Sequence, residues 1–151
     1  MVKILFVCHG NICRSPMAEF VMKVMVKKIG KEKEFEIASA ATSTEALGCR
    51  VYSPVRKILS QHGISCDGKF ARQMSIDDYG YYDCIIAMDS ANLRNMSRFI
   101  GNDPKDKVSL LMDYTDTPRD VADPWYTDDF EQTWQDVNKG CEGLLKTLYK
   151  G

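Results

Sequence analysis

The sequence predicts a single α/β domain: a four-stranded parallel sheet with helices on both faces, in three layers. Three observations carry this. Four short apolar segments, at 3–8, 35–41, 82–88 and 107–112, suit buried strands. Segments of helical character separate them, and a strand–helix alternation implies parallel pairing. The 151 residues show no linker, internal repeat or low-complexity run, so one domain spanning 1–151 is expected.

The elements follow in order. Lys3 to Cys8 is a continuous apolar run without alternation, the pattern of a strand covered on both faces. A polar stretch, His9-Gly10-Asn11-Ile12-Cys13-Arg14, comes next. Ser15-Pro16 reads as a helix start, with Ser as N-cap and Pro at the first helical position. Met17 to Ile29 completes that helix, and Gly30 stops it. Lys31 to Glu34 is a charged connection before the strand Phe35 to Ala41. Thr42 to Ser53 is a loop, Pro54 to His62 a second helix, and Gly63 its end. Tyr82 to Met88 is the third strand; Asp89 or Ser90 then caps a helix running toward Phe99. Lys107 to Met112 is the fourth strand. In the last segment Phe130, Trp134, Val137, Cys141, Leu144, Leu145 and Leu148 recur at helical spacing, and Asp128 with Glu131 resembles a capping box.

Composition excludes several classes. Apolar residues make up 44% and charged residues 27%, ordinary globular usage that argues against disorder. A net charge of −1 lacks the basic footprint of a nucleic-acid binder. The apolar run at 4–8 is too short for a membrane span or a signal peptide, so a cytoplasmic protein without membrane attachment is expected. The six cysteines then read as reduced thiols and not as a disulfide framework. They and the two histidines complete no metal pattern, and no metal or cofactor is expected.

The chemistry concentrates between the first strand and the first helix. A cysteine at the carboxyl end of a parallel strand lies where open α/β sheets bind ligands. The loop after Cys8 can turn successive backbone N–H groups inward, and Gly10 and Asn11 tolerate the left-handed backbone this needs. The helix N-terminus adds partial positive charge. His9, Gly10, Asn11, Ile12 and Cys13 thus form a phosphate-sized cradle with a sulfur at its floor. Helix N-termini and nearby cations favour the thiolate, which makes Cys8 the expected nucleophile. Arg14 closes the loop with a planar fork suited to two phosphoryl oxygens. Read singly, Cys8 would be a small buried hydrophobe, Arg14 a solvated cation, and Asp123-Pro124 a turn. Five residues between Cys and Arg, in a strand–loop–helix context, override those readings.

Other features carry less. Gly63 to Phe70 approaches a nucleotide-binding loop, but Phe70 stands where a Ser or Thr is needed, and a helix precedes it where a strand should. His9 adjoins Cys8, yet neighbours in a tight loop rarely face each other. His62 at a helix end reads as a favourable C-terminal charge.

The stretch Cys8-His9-Gly10-Asn11-Ile12-Cys13-Arg14-Ser15 closely resembles the signature of the low-molecular-weight protein tyrosine phosphatases. Asp123-Pro124-Trp125-Tyr126, Ala71-Arg72-Gln73 and Met88-Asp89-Ser90-Ala91-Asn92-Leu93 match the family pattern as well. The family fold, a flavodoxin-like three-layer arrangement, agrees with the element order read above. The resemblance implies hydrolysis of phosphotyrosine in proteins and of small aryl phosphates through a phosphocysteine on Cys8. Arg14 and the loop amides would stabilise the phosphoryl oxygens, Ser15 would hydrogen-bond the thiolate, and Asn11 would hold the loop. Asp123 would act as general acid and then assist water. Trp125 or Tyr126 would wall the site beside an aromatic substrate. Inorganic phosphate and other oxyanions are the expected inhibitors. Cys13 would protect Cys8 from irreversible oxidation by forming a disulfide.

Two positions depart from the family. Lys69 stands where many members carry a His that supports the loop Asn, which puts the support of Asn11 in doubt, although Ser39 is placed to help. Glu45 stands where many carry an aromatic wall; an acidic wall should shift preference toward basic flanking sequence. Three alternatives remain. An arsenate reductase of this fold needs a cysteine relay, and Cys84 has no Cys a few residues after it. Arginine phosphatases of the family carry a small Thr where this chain has Ile12. A phosphocysteine carrier should lack Arg14 and Asp123, and a non-catalytic phosphotyrosine binder should lack the thiolate.

Overall fold

The structure, a computed structural model, describes residues 1–149; the last two positions of the expected 1–151 domain lie outside the described residues. Four strands, β1 (Val2–Cys8), β2 (Phe35–Ala41), β3 (Cys84–Ala87) and β4 (Val108–Leu110), form one sheet in the order β2-β1-β3-β4. Every pair is parallel. Among the described residues six α-helices accompany them: α1 (Arg14–Lys28), α2 (Ser53–Gln61), α3 (Ile76–Tyr81), α4 (Ser90–Ile100), α5 (Pro124–Thr127) and α6 (Phe130–Leu148).

The pleat of β1 explains its unbroken apolar run. Ile4, Phe6 and Cys8 pack into the layer that holds Met17, Val21 and Met22 of α1, Val55 and Leu59 of α2, and Val137, Cys141 and Leu144 of α6. Leu5 and Val7 face the opposite layer, with Tyr79 of α3 and Met96 of α4. A strand covered on both faces needs apolar residues at both parities. The chain winds to one side of β1 to make β2 and to the other to make β3. This reversal opens a crevice at the carboxyl ends of β1 and β3, where Cys8 lies.

Several boundaries differ from expectation. The first helix begins at Arg14, its N-cap is Cys13, and no side chain caps it, so Ser15 is not a cap. The Ser15 hydroxyl bonds other side chains instead, as described below. The third and fourth strands are shorter than expected. Tyr82 instead closes α3, donating its N–H to Asp78 O, and residues 111–114 coil into a 3-10 turn. Helix α3 was not expected: six residues with a glycine show no apolar period, but Ser75 and Asp78 form a capping box that marks its start. The expected cap of the last helix at Asp128 is displaced by one residue. The short helix α5 occupies 124–127 and ends on Asp128, with φ of 58°, so Asp129 caps α6 by accepting from Gln132 N. Asp89 caps α4 as expected. His62, read as a terminal charge, also stacks on Trp134 of α6 at 4.0 Å. No helix among the described residues is long and apolar enough to cross a membrane.

Candidate active site

The loop after β1 curls around a cavity of about 210 Å³, lined by Cys8, His9, Gly10, Ile12, Cys13 and Arg14 on the loop side. Glu45, Ala46, Asp123, Trp125 and Tyr126 complete its wall. Asn11 adopts a left-handed backbone, φ 59°, as the turn requires of a non-glycine residue that tolerates it. It is fully buried and does not line the cavity. Asn11 Nδ2 donates to Ser15 Oγ at 2.8 Å and to Ser39 Oγ at 2.9 Å, and Asn11 Oδ1 accepts from Arg72 N at 3.2 Å. Asn11 and Ser15 therefore act from beneath the cavity, and only the other loop residues line it.

Ser15 Oγ lies 2.9 Å from Cys8 Sγ. Behind Ser39 the network continues: Ser39 Oγ donates to Glu19 Oε1 at 2.5 Å. Glu19, almost wholly buried on α1, also accepts from Lys23 Nζ at 2.6 Å. Lys69 Nζ donates to the Ser39 carbonyl at 2.9 Å and stands 3.6 Å from Glu19 Oε1. This answers the doubt over Asn11. A lysine cannot accept a hydrogen bond, but here it needs only to donate. Burial pulls the Lys69 ammonium below its ordinary pKa, against the opposing pull of Glu19.

Arg14 is 2% exposed and is the hub of the site. Its Nη1 donates to Asp89 Oδ2 at 2.5 Å and to Val121 O at 2.9 Å, and its Nη2 is 3.4 Å from Asp123 Oδ2. Burial opposes its charge, yet the Cys8 sulfur and the carboxylates of Asp89 and Asp123 hold its pKa above the ordinary value. Its Nε is buried without a hydrogen-bond partner. A buried donor left unpaired beside a cavity is costly unless an acceptor enters. Cys13 is the opposite case: burial first, then the nearby Cys8 and Asp123, push its thiol up to about 12.

Glu45, Trp125 and Tyr126 form the rim of the cavity. Glu45 is mostly exposed, and its Oε2 pairs with His9 Nε2 at 2.8 Å. His9 thus turns to Glu45 and away from any role as a partner of Cys8. Trp125 rests its ring 4.9 Å from that of Tyr52, while Tyr126 stands exposed. Asp123 caps the short helix α5, accepting from Trp125 N at 3.1 Å, so the Asp-Pro pair is a turn and faces the cavity as well.

All the expected residues converge except Asn11 and Ser15, which sit one layer below. The sequence reading missed the second role of Asp89. Its Oδ1 caps α4 while its Oδ2 holds Arg14. A capping Asp with a free oxygen at the same sheet edge as an Arg was the available signal. Glu19 gave none, since a lone Glu in an early helical turn reads as a dipole partner. All six cysteines are free. Among the described residues no group of three or more His, Cys, Asp or Glu is placed to hold a metal ion.

The model of the low molecular weight phosphotyrosine protein phosphatase family matches residues 3–151 of this chain. The low molecular weight protein-tyrosine-phosphatase YfkJ of Bacillus subtilis is 39% identical, across 99% of this chain and 97% of its own. Its crystal structure superposes with a TM-score of 0.95, covering 98% of this chain and 94% of that one. The low molecular weight protein tyrosine phosphatase SP-PTP of Streptococcus pyogenes gives 41% identity and a TM-score of 0.89, covering 99% and 95%. The Drosophila arginine phosphatase DARP gives 29% identity and 0.88, covering 99% of each chain.

Proposed function

Because the chain belongs to the low molecular weight phosphotyrosine protein phosphatase family, a family of cysteine-dependent enzymes, we propose that its residues 1–151 form one phosphatase domain that hydrolyses phosphotyrosine through a phosphocysteine on Cys8. The carrying observation is the cavity where Cys8 lies beside Arg14, whose buried Nε has no partner, with Asp123 on the facing wall. An oxyanion entering there satisfies that donor.

The Cys8 thiolate attacks phosphorus, and the P–O bond to the phenol breaks. Asp123, as general acid, passes a proton to the departing oxygen. Arg14 and the loop amides hold the phosphoryl oxygens in both transition states. Water then attacks phosphorus and gives its proton to Asp123, the P–S bond breaks to release phosphate, and the thiolate leaves with Ser15 bonded to it. Two features preorganise this. Asp89 and Val121 O orient the Arg14 fork, and the Asn11–Ser39–Glu19 chain holds the loop open around the anion.

Ile12 gives the wall of the cavity an apolar branch beside Trp125, suited to an aryl ring. This favours phosphotyrosine over phosphoarginine, the substrate class named for the Drosophila neighbour. Phosphotyrosine proteins are the proposed partners, and phosphate competes with them. The cytoplasm, where six thiols stay reduced, is the proposed compartment.

Rapid acid quenching of enzyme mixed with labelled aryl phosphate tests the reading. Label should remain on wild-type protein and be absent from Cys8→Ser, which should also lose turnover. Labelling of the Cys8→Ser protein, or faster release from phosphoarginine than from phosphotyrosine, would overturn it.

A further inference from the structure

Asp123 rides on a segment, residues 115–123, that forms neither helix nor strand. Such a segment places a side chain only as well as its ties to neighbouring elements allow. Three ties run toward the sheet edge. Val121 N donates to Met88 O at 2.9 Å, and Val121 O accepts from Arg14 Nη1 at 2.9 Å. Asp120 Oδ1 accepts from the N–H and the hydroxyl of Ser90, each at 3.2 Å. The tie on the other side is different in kind. Arg119 Nη1 and Nη2 grip Asp136 Oδ2 and Oδ1 of α6 at 2.9 and 2.6 Å, both oxygens at once.

Asp136 is 1% exposed, while Arg119 lies half in solvent. Gln132, one turn earlier on α6, donates to Asp136 Oδ1 at 2.9 Å. Val121 of the segment is fully buried in the core layer that holds Val137 of α6. On either side of it contact with α6 is polar or open: the fork lies before it, and a cavity of about 80 Å³ lined by Ala122, Gln132, Thr133 and Asp136 lies after it. Burying a carboxylate costs solvation, and a two-pronged pair returns direction as well as charge. Ala122 and Asp123 follow Val121 directly, so the Arg119 fork and the sheet-side ties clamp the acid's backbone from both sides.

We propose that Arg119 is a positioning residue, whose bidentate grip on Asp136 sets the segment that carries Asp123 at proton-transfer distance from the leaving oxygen. The proposal rests on the reading of Asp123 as general acid. Proton transfer requires the carboxyl within about 2.6–3.2 Å of its partner, so a loosened segment loses the acid before it loses phosphate binding.

The test compares kcat/KM for phenyl phosphate, whose leaving group needs a proton, with that for dinitrophenyl phosphate, whose leaving group does not. In Arg119→Met the first should fall about tenfold to a hundredfold and the second less than about threefold. Inhibition by inorganic phosphate should hold. Arg119→Lys, which cannot fork, should fall between. Adding Asp123→Ala to Arg119→Met should cost little more, because both remove one function. Loss of the Arg119 charge leaves Asp136 buried alone, so Arg119→Met with Asp136→Asn separates stability from placement. The double variant should regain thermal stability and keep the leaving-group dependence. Equal losses on both substrates, or a double variant with wild-type dependence, would overturn the clamp and leave the acid standing. If Asp123→Ala alone shows no leaving-group dependence, the acid reading falls and takes the clamp with it.

Discussion

Ser15 Oγ stands 2.9 Å from Cys8 Sγ and accepts from Asn11 Nδ2 at 2.8 Å. In the proposed mechanism the sulfur is a thiolate and carries no proton, so the Ser15 hydroxyl is the donor of that pair while it accepts from the amide. A proton donated to sulfur stabilises the thiolate both as attacking group and as leaving group.

Ser15→Ala should therefore slow breakdown of the phosphoenzyme. A hydrogen bond to a charged group contributes about 1.5–3 kcal/mol, or roughly tenfold to a hundredfold in rate. Burst kinetics check this: the variant should accumulate more labelled protein before steady state. Unchanged release with a smaller burst would place Ser15 in folding alone.

Lys69 closes the far end of the same chain, through Ser39 and Glu19. Lys69→Met removes a donor from the Ser39 carbonyl and leaves Glu19 with Lys23 as its one charged partner. Phosphate inhibition and kcat/KM should weaken together, by about fivefold to tenfold for one lost bond of about 1–1.5 kcal/mol. Lys69→His, able to donate to the same carbonyl, should recover part of both.

Glu45 pairs with His9 at the mouth of the cavity. The pair is exposed, so its own contribution to stability is small. The role proposed for Glu45 is in choice of peptide. Glu45→Trp should alter the ranking of phosphopeptides with basic and acidic flanks more than it alters a small aryl phosphate. An unchanged ranking would show that the position does not meet the peptide.

Cys13 is the proposed protector of Cys8 against peroxide. Its thiol, pushed up to about 12 by burial and by the nearby Cys8 and Asp123, is protonated at neutral pH, so its attack on an oxidised Cys8 is slow. Peroxide should inactivate the enzyme, dithiothreitol should restore it, and mass spectrometry should find a Cys8–Cys13 bridge. Cys13→Ser should become irreversibly inactive as Cys8 oxidises further. Full recovery of that variant would assign the protection to another thiol or to none.

Buried thiols also set an alkaline limit. Burial raises the pKa of both Cys13 and Cys141 above the ordinary 9.0. The folded state then holds protons that the unfolded chain releases. Their stabilisation is complete below pH 9.0 and is lost as pH rises through the folded values. Lys69, shifted down, works the other way below 10.5. Burial raises Cys66 and Cys84 as well, so four thiols against one amine leave a net loss, at up to about 1.4 kcal/mol per pH unit for each group. Denaturant midpoints should fall above pH 9, and Cys141→Ala should flatten the fall.

Much of this molecule was legible in one dimension. The unbroken apolar run of β1 requires cover on both faces, and α1 and α4 provide it. Five residues separate Cys8 from Arg14, a length that curls around one cavity, so loop, proposed nucleophile and proposed anchor could be read together. What the chain could not show in one dimension is which side chains meet across it. Arg14 and Asp89 are 75 positions apart, and Asn11 and Ser39 are 28 apart. Only the parallel pairing of β1 with β2 and β3 brings their ends to one edge. Ser15 shows the same limit locally. Its sequence context fits a helix cap, but the helix begins at Arg14, two residues before the expected Pro16, and the buried hydroxyl takes Cys8 and Asn11 as its partners. Local chemistry is carried by neighbours in sequence. The partners that orient it are set by sheet order and by the requirement that buried polar groups be paired.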